Sequence, residues 1–342
     1  MYGAPGLWCL LAALLFGAAT PASKALLGTL GPITLAGLLY LGAAMGVLPL
    51  SFRHPLQGLP HDATNVRRLI GAVALGGLVA PVLLLMGLSR APAASVALWL
   101  NLEVAATTML AWTFFREHLD VRAGLGVTVV LLAGTLLALP SDVGTASAAV
   151  AVGAACVCWG LDNNLTSRID GFTPAQYTFI KGLVAGLWNL GIGLAVERLP
   201  LDWTVVTTAL AVGAVTYGAS LALYVAGAQQ IGAARSQMLF AASPFLGGLL
   251  AWTLLGETVE PLQLVAGLLM LAGVASLLST RHGHVHVHEE TIHTHSHTHD
   301  DGHHLHAHPG LAPSIRHTHP HAHEPLTHGH PHLPDLHHRH GH

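Results

Sequence analysis

A chain of 342 residues in which 52% are hydrophobic and only 9% are Asp, Glu, Lys or Arg does not have the means to cover itself with an ordinary solvated surface. Soluble domains carry about 25% charged residues, so the composition excludes a typical soluble protein and points to one embedded in a lipid bilayer. With a formal net charge of −3 there is no basic excess to recommend a nucleic-acid partner.

Ten stretches are apolar over the roughly 20 residues that a bilayer core demands of a helix. They run at about 6–27, 32–52, 69–88, 93–115, 121–140, 146–166, 174–196, 204–228, 232–255 and 260–280. Short connections with turn residues separate them, among them Gly31-Pro32, Pro140-Ser141, Asp170-Gly171 and Glu260-Pro261. Barrel strands would show shorter segments of alternating polarity, so the expected class is all-α. No Lys or Arg precedes the first apolar run, which is therefore read as a retained span rather than a secretory signal. Placing both termini in the cytoplasm puts Arg53, Arg67, Arg68, Arg116, Arg122, Arg168 and Arg281 inside and only Arg90 and Arg198 outside, the bias expected of a cell-membrane protein.

In chain order, the polar residues within these spans are the candidates for function, because an ionisable group at the bilayer centre costs about 2.5–3.5 kcal/mol on insertion scales. Lys24 lies near the outer end of the first span, where snorkelling is the plain reading. Glu103 stands in the middle of the fourth span beside Asn101, a position for binding substrate or proton. The plainer alternative for Glu103 is a structural pair with Lys24, Lys181 or Arg235. In the sixth span Asp162-Asn163-Asn164 follows Cys158, and the i, i+4 spacing of Cys158 and Asp162 gives thiol and carboxylate one face. Such a set suits a divalent cation, although a cysteine in an apolar helix is more commonly a small hydrophobe. Lys181 and Arg235 lie deep enough to gate or to act as counter-ions; Gln229, Gln230 and Gln237 read as interfacial or helix-pairing residues. In the ninth span Ser243-Pro244 occupies the place corresponding to Glu103, and a proline there frees carbonyls as in a broken helix. Cys9, Cys156 and Cys158 are odd in number and sit in apolar runs, so no disulfide framework is expected. No span contains histidine, no His-Glu-x-x-His motif occurs, and there is no Gly-rich nucleotide loop. The chain is not read as an enzyme, and it requires no cofactor.

Self-comparison finds a repeat. Leu110-Ala111-Trp112-Thr113 followed by Glu117 recurs as Leu250-Ala251-Trp252-Thr253 followed by Glu257, 140 residues later. At that offset Gly87, Ala93 and Ala94 match Gly227, Ala233 and Ala234, and Asp120 matches Glu260 in charge. Each copy holds five spans, an odd number, so the second enters the membrane inverted, the arrangement of many secondary transporters. Two five-helix halves, a first span written Phe16-Gly17-Ala18-Ala19-Thr20-Pro21-Ala22-Ser23-Lys24, and the repeated Trp and Glu resemble the drug/metabolite transporter superfamily, EamA type. The resemblance covers about residues 6–280 and implies ion-driven export of a small metabolite without ATP. It is similar in particular to a branch with His-rich ends associated with nickel and cobalt resistance.

Histidine is what the membrane half does not use. Of 26, only His54, His61 and His118 precede residue 281. The tail alternates them: His282, His284, His286 and His288; His293, His295, His297 and His299; His304, His306 and His308; His317, His319, His321 and His323. Few large apolar residues intervene, so a disordered segment is expected, and neutral imidazoles at this density suit nickel, cobalt or zinc. The resulting division is 1–140 for the first five-helix repeat, 141–280 for the second, and 281–342 for a metal-binding tail. The function expected first is proton-coupled export of nickel or cobalt, with Glu103, Asn101, Asp162, Asn163, Lys181, Arg235 and Ser243 serving substrate and coupling. Two rivals stand beside it: a metabolite or amino-acid exporter with a metal-regulated tail, and a membrane-tethered metal buffer. Association into a homodimer is compatible with each.

Overall fold

The computed structural model describes residues 4–52, 63–115, 119, 121–139, 143–169, 173–197, 202–231, 233–279 and four stretches of the tail. Glu117, Asp120, Arg53, Arg116, Arg198 and Arg281 of the sequence argument lie outside the described residues, as do His299, His304, His306 and His308. Among the described residues through Ser279 every regular element is a helix. Ten helices among the described residues are long and apolar enough to cross a membrane. They are Pro5–Leu26, Pro32–Ser51, Ala63–Leu88, Ala93–Phe114, Val121–Ala138, Val143–Thr166, Pro174–Val196, Trp203–Ala228, Ser236–Leu254 and Pro261–Leu278, the first to tenth spans below. Each coincides with an expected stretch. The largest difference is in the third, which begins at Ala63 because a polar turn carrying Arg67 and Arg68 continues the helix beyond its apolar part.

The ends follow from local chemistry. Pro32, Pro174 and Pro261 open their helices where a missing N–H costs nothing. Thr173 and Gln176 form a reciprocal capping box at the seventh span, and the Asp202 carboxylate accepts from the Thr204 amide at 2.8 Å to start the eighth.

Several spans are interrupted. The first divides at Ala18, where Pro21 supplies no N–H for the Gly17 carbonyl. The ninth is a pair of helices, Ala233–Phe240 and Ser243–Leu254, with Pro244 in the opening turn of the second, the break expected there. The fourth breaks as well, into Ala93–Trp99 and Leu102–Phe115. The third and eighth spans each contain a π-helical stretch, Val73–Val79 and Ala214–Ala219, at nearly the repeat spacing.

Without a hydrophobic force between helices in lipid, close backbone contact holds the bundle. The second span lies between the seventh and eighth, meeting them through Gly37, Gly42 and Gly46 on its own surface and Gly182, Gly186, Gly213 and Gly218 on theirs. A Cβ on Gly213 would run into the Leu39 carbonyl. Gly213→Val is therefore expected to cost about 3 kcal/mol through overpacking, seen as a lower melting temperature in detergent. Gly17 meets Gly247 in the same manner where the first span crosses the ninth. Large apolar side chains such as Leu132, Trp188 and Leu268 point outward, as a lipid-facing surface does.

The expectation of an unstructured chain concerns the whole tail, of which four stretches are described. They form four strands, β1 (His282–His288), β2 (Thr291–His297), β3 (His317–His323) and β4 (Leu326–His332). β1 pairs antiparallel with β4, and β2 with β3. Alternating histidine with Val, Thr or other small residues has the period of a strand, and the register sets histidine opposite histidine, as in His284 with His330 and His295 with His319.

Candidate functional site

The site is built on the π-helical turn of the third span. A widened turn leaves backbone carbonyls underused, and such turns concentrate at functional sites. Here the Tyr40 hydroxyl and the Trp159 indole Nε1 both donate to the Gly76 carbonyl, at 2.7 and 3.0 Å. Asn189 Nδ2 donates to the carbonyls of Gly77 and Leu78, each at 3.3 Å. Side chains of the second, sixth and seventh spans thus converge on one irregular turn.

Asp162 lies directly against that turn, in contact range of where a Cβ on Gly76 would be. Its side chain is 3% exposed and pairs with Lys181 Nζ at 2.6 Å. The Tyr177 hydroxyl donates to it at 2.6 Å and the Thr166 hydroxyl at 3.0 Å. Lys181 also stands 4.9 Å above the Tyr177 ring, within reach of a cation–π attraction. A buried pair repays its desolvation only when its remaining hydrogen bonds are satisfied, and the two hydroxyls supply them.

Glu103 occupies the first turn of the second half of the broken fourth span. The positive end of that helix dipole favours a carboxylate there, so the break places a helix N-terminus beneath the acid. Asn163 Nδ2 donates to Glu103 at 2.9 Å and to the Thr107 hydroxyl at 3.3 Å. Asn164 donates to the carbonyls of Thr107 and Gly160, fixing the sixth span on the fourth. Glu103 and Lys181 are half-buried and Asn163 is exposed. An aromatic series from four spans accompanies these groups: Tyr40 with Tyr217 at 6.4 Å, Phe16 with Tyr217 at 5.5 Å, Phe16 with Phe240 at 5.2 Å and Tyr224 with Phe240 at 5.0 Å between ring centroids.

Of the residues singled out in the sequence, Glu103 and Asn163 are joined directly, and Asp162 and Lys181 form an adjacent pair through neighbouring positions of the sixth span. Asn101 is not part of either: buried, it donates to the Leu98 carbonyl at 2.9 Å and closes the first half of the fourth span. Ser243 is buried at the start of the ninth span's second half, where the first span passes at Gly17. The Arg235 side chain lies outside the described residues. Cys158 packs against the main apolar core, and Cys156 donates weakly to the Trp99 carbonyl at 3.7 Å. Among the described residues no three His, Cys, Asp or Glu side chains stand together as a metal would require. Lys24, expected at a span end, donates to the carbonyls of Leu88 and Ala91. Tyr40, Tyr177, Tyr217, Tyr224 and Phe240 were not identified from sequence, since an aromatic residue in an apolar span carries no local mark of function.

Comparison with known proteins places this geometry in context. The model of the EamA-like transporter family matches residues 4–139 and again 146–279. A protein of Methanothermobacter thermautotrophicus (strain Delta H), described as an uncharacterized transporter, is 28% identical over 287 residues, covering 77% of this chain and 82% of its own. A solved crystal structure, described only as that of a protein, matches with a TM-score of 0.59 over 81% of this chain and 98% of its own. At 17% identity that likeness speaks for the fold alone.

Proposed function

The chain belongs to the EamA-like transporter family, and from that premise we propose that it exports a small zwitterionic metabolite of amino-acid type, with Glu103 as the proton-coupling group. The observation that carries the reading is the juxtaposition of Asp162–Lys181 with Glu103 beside an aromatic surface. A zwitterion can exchange with each half of such a pair, its carboxylate taking the ammonium and its amine the acid, so entry leaves no buried charge unpaired. Its apolar part then meets Tyr40, Tyr217 and Phe16. The two five-span halves run in opposite orientation, supported by the broken helices of the fourth and ninth spans and the π turns of the third and eighth. Both termini face the cytoplasm of a cell membrane, on the bias of flanking arginines.

Metal export is the second reading, favoured by the 26 histidines and their concentration after residue 280. An ammonium 2.6 Å from Asp162 opposes a divalent cation at that carboxylate, so the first reading keeps metal on the tail and out of the bundle. There it regulates the exporter or concentrates the ion at the membrane.

Flux into inverted vesicles tests both. Neutral amino acids are expected to accumulate only with a pH gradient, whereas nickel, cobalt and zinc show no saturable uptake. Saturable metal uptake that survives deletion of residues 281–342 would replace the first reading by the second. In equilibrium dialysis the full chain is expected to hold several nickel ions and the truncated chain none. Lowering the pH below the imidazole range of about 6.5 should release them, because protons and metal compete for the same nitrogens.

A further inference from the structure

One end of the bundle is fastened by charges that the binding site does not use. Glu197, just past the seventh span, accepts from the amides of Ile33 and Thr34 at 3.0 and 2.8 Å, at the start of the second. Glu257, just past the ninth, accepts from the amides of Ala93 and Ala94 at 2.6 and 2.9 Å, at the start of the fourth. In each case one carboxylate takes the two leading N–H groups of a helix belonging to the other half of the chain. Gly256 adopts φ +66° immediately before Glu257, a left-handed turn that aims the carboxylate back at its target and that glycine accommodates best. Lys24 Nζ donates to the carbonyls of Leu88 and Ala91 at 2.7 and 2.9 Å. The turn joining the third and fourth spans is therefore gripped by a cation on its carbonyls and an anion on its amides. A cavity of about 450 Å³ opens beside it, lined by Lys24, Arg90, Glu257, Glu260 and Gln263 among others.

We propose that Glu197 and Glu257 are the latches of a gate at this end, and that opening to this side requires each carboxylate to leave its pair of amides. The proposal rests on the chain being a transporter and not on which solute it carries. Two features distinguish a latch from fixed cement. The amides are helix-terminal, so water satisfies them once the carboxylate withdraws. Both carboxylates are half-buried and so already border water, unlike Asp162, whose separation from Lys181 strands a charge. At the opposite end the described ties are different in kind: Ser51 donates to the Ala175 carbonyl, Gln176 to that of Ser51 and Arg68 to that of Arg168.

Thiol accessibility tests this without any substrate. In the full chain, with Cys9, Cys156 and Cys158 replaced by alanine, Ser95→Cys places a reporter behind the Glu257 latch, at a site now 7% exposed. A membrane-impermeant maleimide is applied to either face in turn. Glu257→Gln, whose amide oxygen replaces only part of the carboxylate's acceptance, is expected to raise labelling from one face at least fivefold, and Glu260→Gln in the same cavity wall to leave it unchanged. Glu197→Gln with Thr34→Cys is the independent second latch and decides the matter should Glu257→Gln not yield folded protein. Unchanged labelling in folded protein of both latch variants would overturn the proposal.

Discussion

Lys181→Met is expected to abolish transport and to lower the stability of the folded chain by about 3–5 kcal/mol, the usual consequence of removing one partner of a buried ion pair. Asp162 is 3% exposed, so its charge would lack a counter-ion where water solvates it poorly. The hydroxyls of Tyr177 and Thr166 still donate to it, but neither supplies charge. The double variant Asp162→Asn with Lys181→Met removes both charges and should recover most of the melting temperature in detergent. Flux in proteoliposomes should stay at the level of empty vesicles. That separation of stability from activity is what distinguishes a binding pair from a structural one. Wild-type flux in either variant would end the proposal that substrate exchanges with this pair.

Glu103→Gln is expected to produce the opposite pattern: an intact fold and uncoupled transport. The amide is isosteric, and its oxygen still accepts from Asn163, so melting temperature and solution behaviour should match the parent. A glutamine cannot carry the proton. Accumulation driven by a pH gradient should therefore fall to background while solute-for-solute exchange across the membrane continues. Loss of both modes would make Glu103 part of the substrate contact and not the coupling group. Retention of both would leave it neither role.

The ten spans were legible because membrane insertion is decided by local composition: about 20 apolar residues suffice wherever they fall. The break in the ninth span was legible for the same reason, since Pro244 forbids a hydrogen bond regardless of its surroundings. The break in the fourth was not. No proline marks it, and the chain turns where Asn101 satisfies the Leu98 carbonyl and Trp99 Nε1 donates to Gly134 at 3.1 Å, 35 residues along. The π turns were equally hidden, for one residue more per turn alters neither hydropathy nor composition. The tail shows the converse: its composition argued against a core, yet its two-residue period is also that of a strand, and its described stretches pair as strands.

Glu103, Asp162 and Lys181 were all identifiable because a charge in an apolar span is costly wherever it sits. Their pairing was not. Lys181 was one of three bases considered for Glu103 and instead meets Asp162, because the rotation of the sixth and seventh spans about their axes sets which acid faces which base. The spacing that put Cys158 and Asp162 on one face was correct as geometry along a single helix, but the thiol contributes to the apolar core while the carboxylate turns to Tyr177 and Lys181. Glu197 escaped notice altogether, as a carboxylate at a span end is ordinary until its amides, 164 and 163 positions earlier, are brought beside it.

By itself, then, the sequence determined that this chain lives in a bilayer, how many apolar spans it has, that Pro244 breaks the ninth and which few residues bear charge within them. All of these follow from the free energy of placing single residues in hydrocarbon. Only the tertiary structure decided which charges neutralise one another, where backbone carbonyls are freed to organise a site, and which carboxylates fasten one end. Those depend on helix rotation and close approach between the two halves, and no stretch of sequence read alone contains them.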